Sequence, residues 1–533
     1  MNHNINFSRI QRLLDNKDYL VALNTSVKFL TIYPDAIGYK KAAAFCHSAL
    51  GNLTDAKELW LELVNTDPFD EETLINLADI EQRMGRFDSA LGLLKLVSEY
   101  HPTSIKPYLN MGGLYLLKNE FTNALNVSLQ AVTIDPNHAD GFQNLGSSFF
   151  NLAMFDEAKH AFDTSLLLNP NSTDAKISLA VILAKQNKVD EALSIFEELI
   201  SNHIVSDRIP IAQLKWDSSL LFLRAGNLEK GFEYYEYGMS SEVRGHLIRR
   251  PSRTFKVPKW SPDASKTESV LVWREQGIGD EILFSTCIQN LIDDGFYPII
   301  ETDKRLISIY ERSFPTIKVR EANFRVEFPH DSFYEDFGTH IPMGSLLFFY
   351  RKSLNQFTNS SSYLLPEYSL VSKWRSRLSK FGTKKLIGIS WKGGLADPLR
   401  NSKYTKLAKW DTLLKADYVF INLQYGDCID EIREVESALG ITIHTWEDLD
   451  LKNDLEDVFA LLKNIHHVVS VSTAIWMFAA ALGTPTSVLL HTPHWTMFDQ
   501  DYTPFFPDVN CLVTNQSEDI PDLLPVVLSI LNQ

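Results

Sequence analysis

The sequence predicts a helical repeat solenoid followed by an α/β part built as two doubly wound lobes. Three observations predict it. A 34-residue period runs through the first 200 residues. From Ser269 the pattern changes to short β-rich runs separated by helical segments. Apolar residues make up 45% of 533 positions, enough for several packed cores. At roughly 150 residues per domain the length suggests about three or four folding units.

The repeats come first. Pro34, Pro68, Pro102, Pro136 and Pro170 are each 34 residues apart. Ala22, Ala56, Ala90, Ala124, Ala158 and Ala192 keep the same period, as do Ala44, Ala78, Gly112, Gly146 and Ala180. Paired helices explain all three registers. A small residue on each helix lets two backbones approach closely, and the proline ends the second helix because it lacks an N–H and clashes with the preceding turn. On these residues the segment from about Asn4 to Asn202 resembles the tetratricopeptide repeat, and residues 1–202 are assigned to six such units. The resemblance implies a superhelix whose concave face binds peptides or protein partners. Asn76, Asn110 and Asn144 are also 34 apart. A ladder of side-chain amides there can grip a peptide backbone by donating to carbonyls and accepting from N–H groups; the alternative is an ordinary residue at this repeat position.

Residues 203–250 form an irregular seventh unit and linker, with a helix-turn-helix look from Trp216 to Tyr235 and Gly231 lying 39 residues after Ala192. Arg244, Arg249, Arg250, Arg253, Lys256 and Lys259 make a basic run, expected to be a solvated linker.

Two lobes follow, assigned to 251–372 and 373–533. SVLVWR, YPIIETD and TIKVREA read as strands of the first, with ILFSTCIQNLIDDG a helix ended by Gly295. LIGISW, YVFINLQ, ITIHTW, HVVSVS and TSVLL read as strands of the second. Helices are expected near Lys409–Lys415, Asp430–Leu439, Asp454–Asn464 and Thr473–Leu482. Such alternation implies parallel sheets covered on both faces, with ligands at the carboxyl ends of the strands.

Four strand ends carry candidate chemistry. Glu275-Gln276-Gly277-Ile278-Gly279-Asp280 follows the first strand. Its glycines allow close backbone approach, but two carboxylates suit proton acceptance better than pyrophosphate binding; Asp280 reads equally well as a helix N-cap. Lys392, Gly393 and Gly394, with Arg400 and Lys403 downstream, suit an oxyanion or phosphate. Ser472, Thr473 and Ala474 lie where a strand ends and a helix starts, so free N–H groups and the positive dipole end favour a diphosphate. Gln424 and Asp427 can bond a base or ribose, or form a plain turn.

VLVWREQGIGDEILFSTCIQNL, GISWKGG, FINLQYGD, DLEDVFALLKNI and SVSTAIWMFAAALGTP occur in that order. Together they resemble bacterial repeat-containing glycosyltransferases related to the heptosyltransferase family, which have the GT-B fold of two Rossmann-like lobes. The organisation is similar to that of protein O-GlcNAc transferase. The match covers roughly Gly226 to Pro507 and implies inverting transfer from a nucleotide-diphosphate sugar, a co-substrate rather than a cofactor, without a metal. It places the general base on Asp280, within the loop of Gln276, Gly277 and Gly279. It places diphosphate contacts on Lys392, Ser472, Thr473 and Ala474, and the ribose- or base-contacting loop near Gln424 and Asp427. The family often reads SVDTSVAHLAGALG in the last motif; here Ser472 stands for its aspartate and Met477 for its histidine. That departure leaves a second reading open, a transferase-like scaffold without turnover that mediates protein interaction.

Composition excludes other classes. A net charge of −16 argues against nucleic-acid binding. Cys46, Cys287, Cys428 and Cys511 form no CxxC pair, which fits neither a zinc nor a disulfide framework and suits a reducing compartment. The first residues lack a signal-peptide pattern, and the apolar run Val468–Leu490 reads as strand, helix and strand rather than a membrane span. A cytoplasmic protein with a nucleotide-sugar donor and a protein or peptide acceptor in the repeat groove is therefore expected.

Overall fold

The computed structural model describes residues 2–202, 210–243, 249–251, 253–322, 336–358, 362–393, 404–515 and 518–533. They divide into two compact units, Met1–Ile182 and Leu183–Gln533.

The first unit is a stack of antiparallel helix pairs: α1 (Asn2–Asp15) with α2 (Tyr19–Leu30), α3 (Ile37–Ala49) with α4 (Leu53–Thr66), α5 (Glu71–Arg83) with α6 (Phe87–Tyr100), α7 (Lys106–Leu117) with α8 (Phe121–Ile134), and α9 (Ala139–Asn151) with α10 (Phe155–Leu168). The next helix, α11 (Thr173–Lys185), spans the division between units, which therefore falls earlier than residue 202. Apolar spacing makes each helix one-sided. In α4 the buried positions are Ala56, Trp60 and Leu63, four and three residues apart. The small residues of both registers are buried: Ala44 and Ala56 share a core with Trp60 and Leu77. At Gly146 a Cβ would lie 2.7 Å from the Phe162 ring, so the ring occupies that space.

A regularity absent from the residue types also appears. Lys17, Gly51, Gly85, Asn119, Ala153 and Asn187 all have positive φ and are spaced by 34. Each lies in the turn joining the two helices of a pair, where a left-handed residue reverses the chain.

The second unit starts with α12 (Val189–Ser201), then the seventh pair, α13 (Ile211–Arg224) and α14 (Leu228–Tyr235). Gly231 on α14 presses on Leu223 of α13. Two all-parallel sheets follow. The first has β1 (Ser269–Trp273), β2 (Tyr297–Thr302), β3 (Lys318–Glu321) and β4 (Thr339–Pro342) in the order β3-β2-β1-β4. Its helices are α15 (Ile278–Ser285), α16 (Ile288–Asp293), α17 (Ile307–Ser313) and α18 (Leu346–Tyr350). After α19 (Tyr368–Leu378), the second sheet has β5 (Leu386–Ser390), β6 (Val419–Asn422), β7 (Ile443–His444), β8 (His467–Val471), β9 (Thr486–Leu490) and β10 (Asn510–Val513) in the order β10-β9-β8-β5-β6-β7. Its helices are α20 (Asp411–Leu414), α21 (Ile429–Leu439), α22 (Leu455–Leu462), α23 (Ala474–Ala481) and α24 (Leu524–Leu531). Val468–Leu490 is thus strand, helix and strand, and no helix among the described residues is long and apolar enough to cross a membrane.

Several boundaries differ from expectation. The helix read through ILFSTCIQNLIDDG is two helices. Ser285 Oγ donates to Ile282 O and Thr286 Oγ1 to Leu283 O, while the Thr286 carbonyl accepts from Arg351, so the ladder breaks there. The lobe boundary at 372 falls inside α19, whose Trp374 Nε1 donates to Asp457 Oδ1 at 2.7 Å and ties the helix to the second lobe. The two lobes share one continuous apolar core. Arg312 makes a bidentate pair with Glu456 across them, and Arg305 Nη1 donates to Lys452 O at 2.7 Å.

The basic run is solvated only in part: Arg250, Lys256 and Lys259 are exposed, but two of its arginines are drawn into ion pairs. Arg249 is 1% exposed and pairs with Glu236 and Glu275; Arg253 pairs with the buried Glu301 at 2.6 Å. A charge this far from water stays ionised only with such partners. Arg244 lies outside the described residues.

Candidate active site

Strand order locates the site. In the second sheet the chain runs β5-β6-β7 one way and β8-β9-β10 the other, so the order reverses between β5 and β8. A crevice opens at the carboxyl ends of strands at such a point. Ser390 pairs with Ser470 in register, so Lys392 and Ser472, each two residues on, leave adjacent strands side by side. In the first sheet β1 is the strand at which the order reverses, and the Glu275–Asp280 loop leaves its end.

The two loops meet. A Cβ built on Gly279 would lie 2.7 Å from Met477 Sδ and 3.4 Å from both Cα and Cβ of Ala474. The first turn of α15 therefore abuts the first turn of α23, and Gly279 is what permits it. Met477 is 7% exposed and fills this contact.

Asp280 is not the N-cap of α15. Gly277 is, and its N–H donates to Asp280 Oδ2 at 3.1 Å. The carboxyl is half-buried, and burial pushes its pKa up to about 6; the negative charge of Glu275 adds to this and the Gly277 N–H opposes it. Gln276 has φ +59, a left-handed conformation that a side chain rarely adopts. The neighbouring Glu281 is fully buried against Arg274 and Thr302, and burial raises it to about 7.

At α23, Thr473 is the N-cap and makes no side-chain capping bond. Its hydroxyl lies 3.1 Å from Ser470 Oγ instead, which leaves the first-turn N–H groups to another acceptor. Ser472 is half-buried beside it. Lys392 Nζ pairs with Glu431 at 2.7 Å, and Glu431 also accepts from Leu407 N. Gly394, Arg400 and Lys403 lie outside the described residues.

Gln424 holds the strand-end turn, one of the two readings its place allowed. It is 1% exposed, and its Oε1 accepts from the N–H groups of Trp391 at 3.0 Å and Lys392 at 2.9 Å. It closes the end of β5. Asp427 is exposed in the turn after Gly426. In the repeats, Asn76 donates to Glu72 O within its own helix, and Asn144 Nδ2 donates to Leu109 O at 2.9 Å while packing on Gly112. Two of the three ladder amides thus already donate inside the array, and Asn110 is exposed. Tyr235, Glu236 and Arg249, none of them singled out for the site from sequence, line the back of the Glu275–Asp280 loop. The only signal for them was a basic run near an acidic loop.

Comparison with known proteins bears on the helical part. Profiles of the tetratricopeptide repeat match residues 105–138 and 144–207. The N-terminal region is a tetratricopeptide-repeat solenoid. The tetratricopeptide array is similar in this respect to Tetratricopeptide repeat protein 8 of Caenorhabditis elegans, 21% identical over 179 residues, 33% of this chain and 35% of that one. Protein FlbA of Caulobacter vibrioides is 27% identical over 413 residues, 75% of this chain and 68% of FlbA, so that alignment extends beyond the tetratricopeptide region. Among solved structures, a tetratricopeptide repeat protein from Parabacteroides merdae matches 46% of this chain and 95% of its own at 13% identity and a TM-score of 0.39. MamA matches 30% and 92% at 21% identity and a TM-score of 0.27.

Proposed function

We propose that this chain is a glycosyltransferase of the GT-B arrangement that moves a sugar from a nucleotide-diphosphate donor to a protein acceptor held by the tetratricopeptide repeats. One observation carries the reading: the Gly279 contact with Ala474 and Met477 sets the Asp280 loop of one parallel sheet against the open helix start of the other. A base and an anion site facing each other at two strand-order reversals are what displacement at a sugar carbon needs.

In that reaction the acceptor nucleophile attacks the anomeric carbon, and its proton passes to Asp280. The bond from carbon to the diphosphate oxygen breaks, and the nucleotide diphosphate leaves with the electron pair. Ser472, the N–H of Ala474 and the α23 dipole offset its charge, while the Thr473 N–H stays with Val471 O at 2.7 Å. Lys392 adds to this by exchanging Glu431 for phosphate. Asp427 stands at the same edge for the ribose. The repeats supply the protein acceptor, since a small acceptor needs no such scaffold.

A thermal-shift screen against UDP, GDP, ADP, CMP and dTDP compounds tests the reading. A bound nucleotide raises the melting temperature by mass action. One base class is expected to shift the transition, and a flat response to all five sinks the proposal. The second reading, a scaffold without turnover, is favoured by Met477 filling the family's histidine position and by the engagement of Lys392 with Glu431. A donor-hydrolysis assay separates the two.

A further inference from the structure

We propose that Arg249 is the positioning residue of the β1–α15 loop: with Tyr235 of the seventh helix pair and the adjoining Glu236 it locks Glu275 and Gln276, and through them sets where the Asp280 carboxylate stands. This rests on Asp280 being the base.

The side chain of Arg249 is fully enclosed. Its Nε donates to Glu275 Oε2 at 2.6 Å and its Nη2 to Glu275 Oε1, a bidentate fork. Nη1 donates to Glu236 Oε1 at 2.8 Å and Nη2 to Ser345 Oγ at 2.9 Å. Glu275 Oε1 also accepts from Gly344 N at 3.0 Å. The carboxylate that opens the loop thus accepts at both oxygens. The next residue, Gln276, keeps its left-handed φ while its N–H donates to Arg250 O at 2.9 Å, the carbonyl adjoining Arg249. Strained backbone of this kind persists only where its surroundings over-determine it. Gly277 follows, and its N–H holds Asp280. The route from Arg249 to Asp280 is therefore a short run of bonds.

The seventh helix pair supplies the walls. The Tyr235 ring covers the Arg249 guanidinium at 4.4 Å and meets Phe284 of α15 at 6.3 Å. Phe232 meets Phe498, in the loop after β9, at 6.0 Å, and the turn at Gly226 approaches the carbonyl of Phe498. Phe498 and Asp499 are themselves consecutive left-handed residues. The pair therefore braces strand-end loops of both lobes and is part of the α/β unit, not a spacer. Only a planar guanidinium presents the fork that Glu275 accepts, so lysine cannot replace it.

The test uses the full chain with Arg249→Lys and with the double variant Arg249→Met/Glu275→Gln, which removes the enclosed pair while Glu236 keeps Lys259 as its partner at 2.5 Å. Hydrogen exchange of residues 276–281 is expected to speed up by at least about tenfold in both, while α24 is unchanged. With the donor named by the nucleotide screen, kcat is expected to fall about tenfold or more and the donor KM to stay within about twofold, the signature of a lost transition-state interaction. A folded double variant whose loop exchanges at the wild-type rate overturns the proposal. So does a folded double variant with unchanged kcat in an active enzyme. If the wild-type protein turns over no donor, the transferase reading fails instead, and the exchange rates still decide the role of Arg249.

Discussion

A carboxyl that loses its proton near pH 6 is a base of useful strength at neutral pH. Asp280 reaches that range because it is removed from water beside a second carboxylate. Its Asn variant keeps the size and can still accept from Gly277, so fold and nucleotide binding should persist while transfer falls by about a hundredfold or more. Under the proposed function, transfer rates should climb as pH rises through about 6 and level off above it, because the ionised form accepts the proton. Stability should move the other way. Asp280 and Glu281 have folded-state values raised above the ordinary carboxylate range, so the native state binds more protons than the unfolded chain between about pH 4 and 7. Their ionisation then lowers the melting temperature as pH climbs through that window, and Asp280→Asn should flatten part of the slope. Asp303, held down to about 2 by Arg305 and Arg274 against the effect of burial, contributes in the opposite sense and loses its stabilisation only as pH falls toward that value. The place of Asp280 after the first strand was legible in the motif. The burial of Gln424 was not, because it depends on two N–H groups about thirty residues away that need an acceptor at the end of β5.

Each helix pair turns through one left-handed residue, and residue type there is not conserved along the array: Gly85 and Ala153 occupy the same place. A Cβ costs about 1–2 kcal/mol in that conformation. Ala153→Gly should therefore stabilise the array by about 1 kcal/mol, and Gly85→Ala should destabilise it similarly, since nothing else lies near the added Cβ. Gly146→Ala should cost more, about 1–3 kcal/mol, because its Cβ would overlap the Phe162 ring. Thermal melts of the three variants check the signs. The small-residue register was readable because steric demand restricts it to Ala, Gly or Ser. The left-handed register was not, because Lys17, Asn119 and Asn187 tolerate it well enough to hide it. In the α/β part the strands buried on both faces stood out as apolar runs. The edge strands β4 and β10 and the final helix α24 escaped notice, since half-buried or short segments carry little periodicity.

Under the proposed function the two compact units carry separate tasks. Removing residues 1–168, which ends between α10 and α11, should leave the nucleotide-dependent rise in melting temperature intact and abolish modification of a protein acceptor. Equal modification of a protein by the shortened chain would show that the array does not hold the acceptor.

Repeats of 34 residues, the alternation of strand and helix, and the glycine-bearing strand ends are local patterns, and each is written in neighbouring residues. Packing alone decided that Gly279 meets Ala474, that Arg249 leaves the solvent to grip Glu275, and that Asn144 turns its amide into the array. Such pairings join residues far apart in the chain, and their free energy comes from burial, which no short stretch of sequence can report.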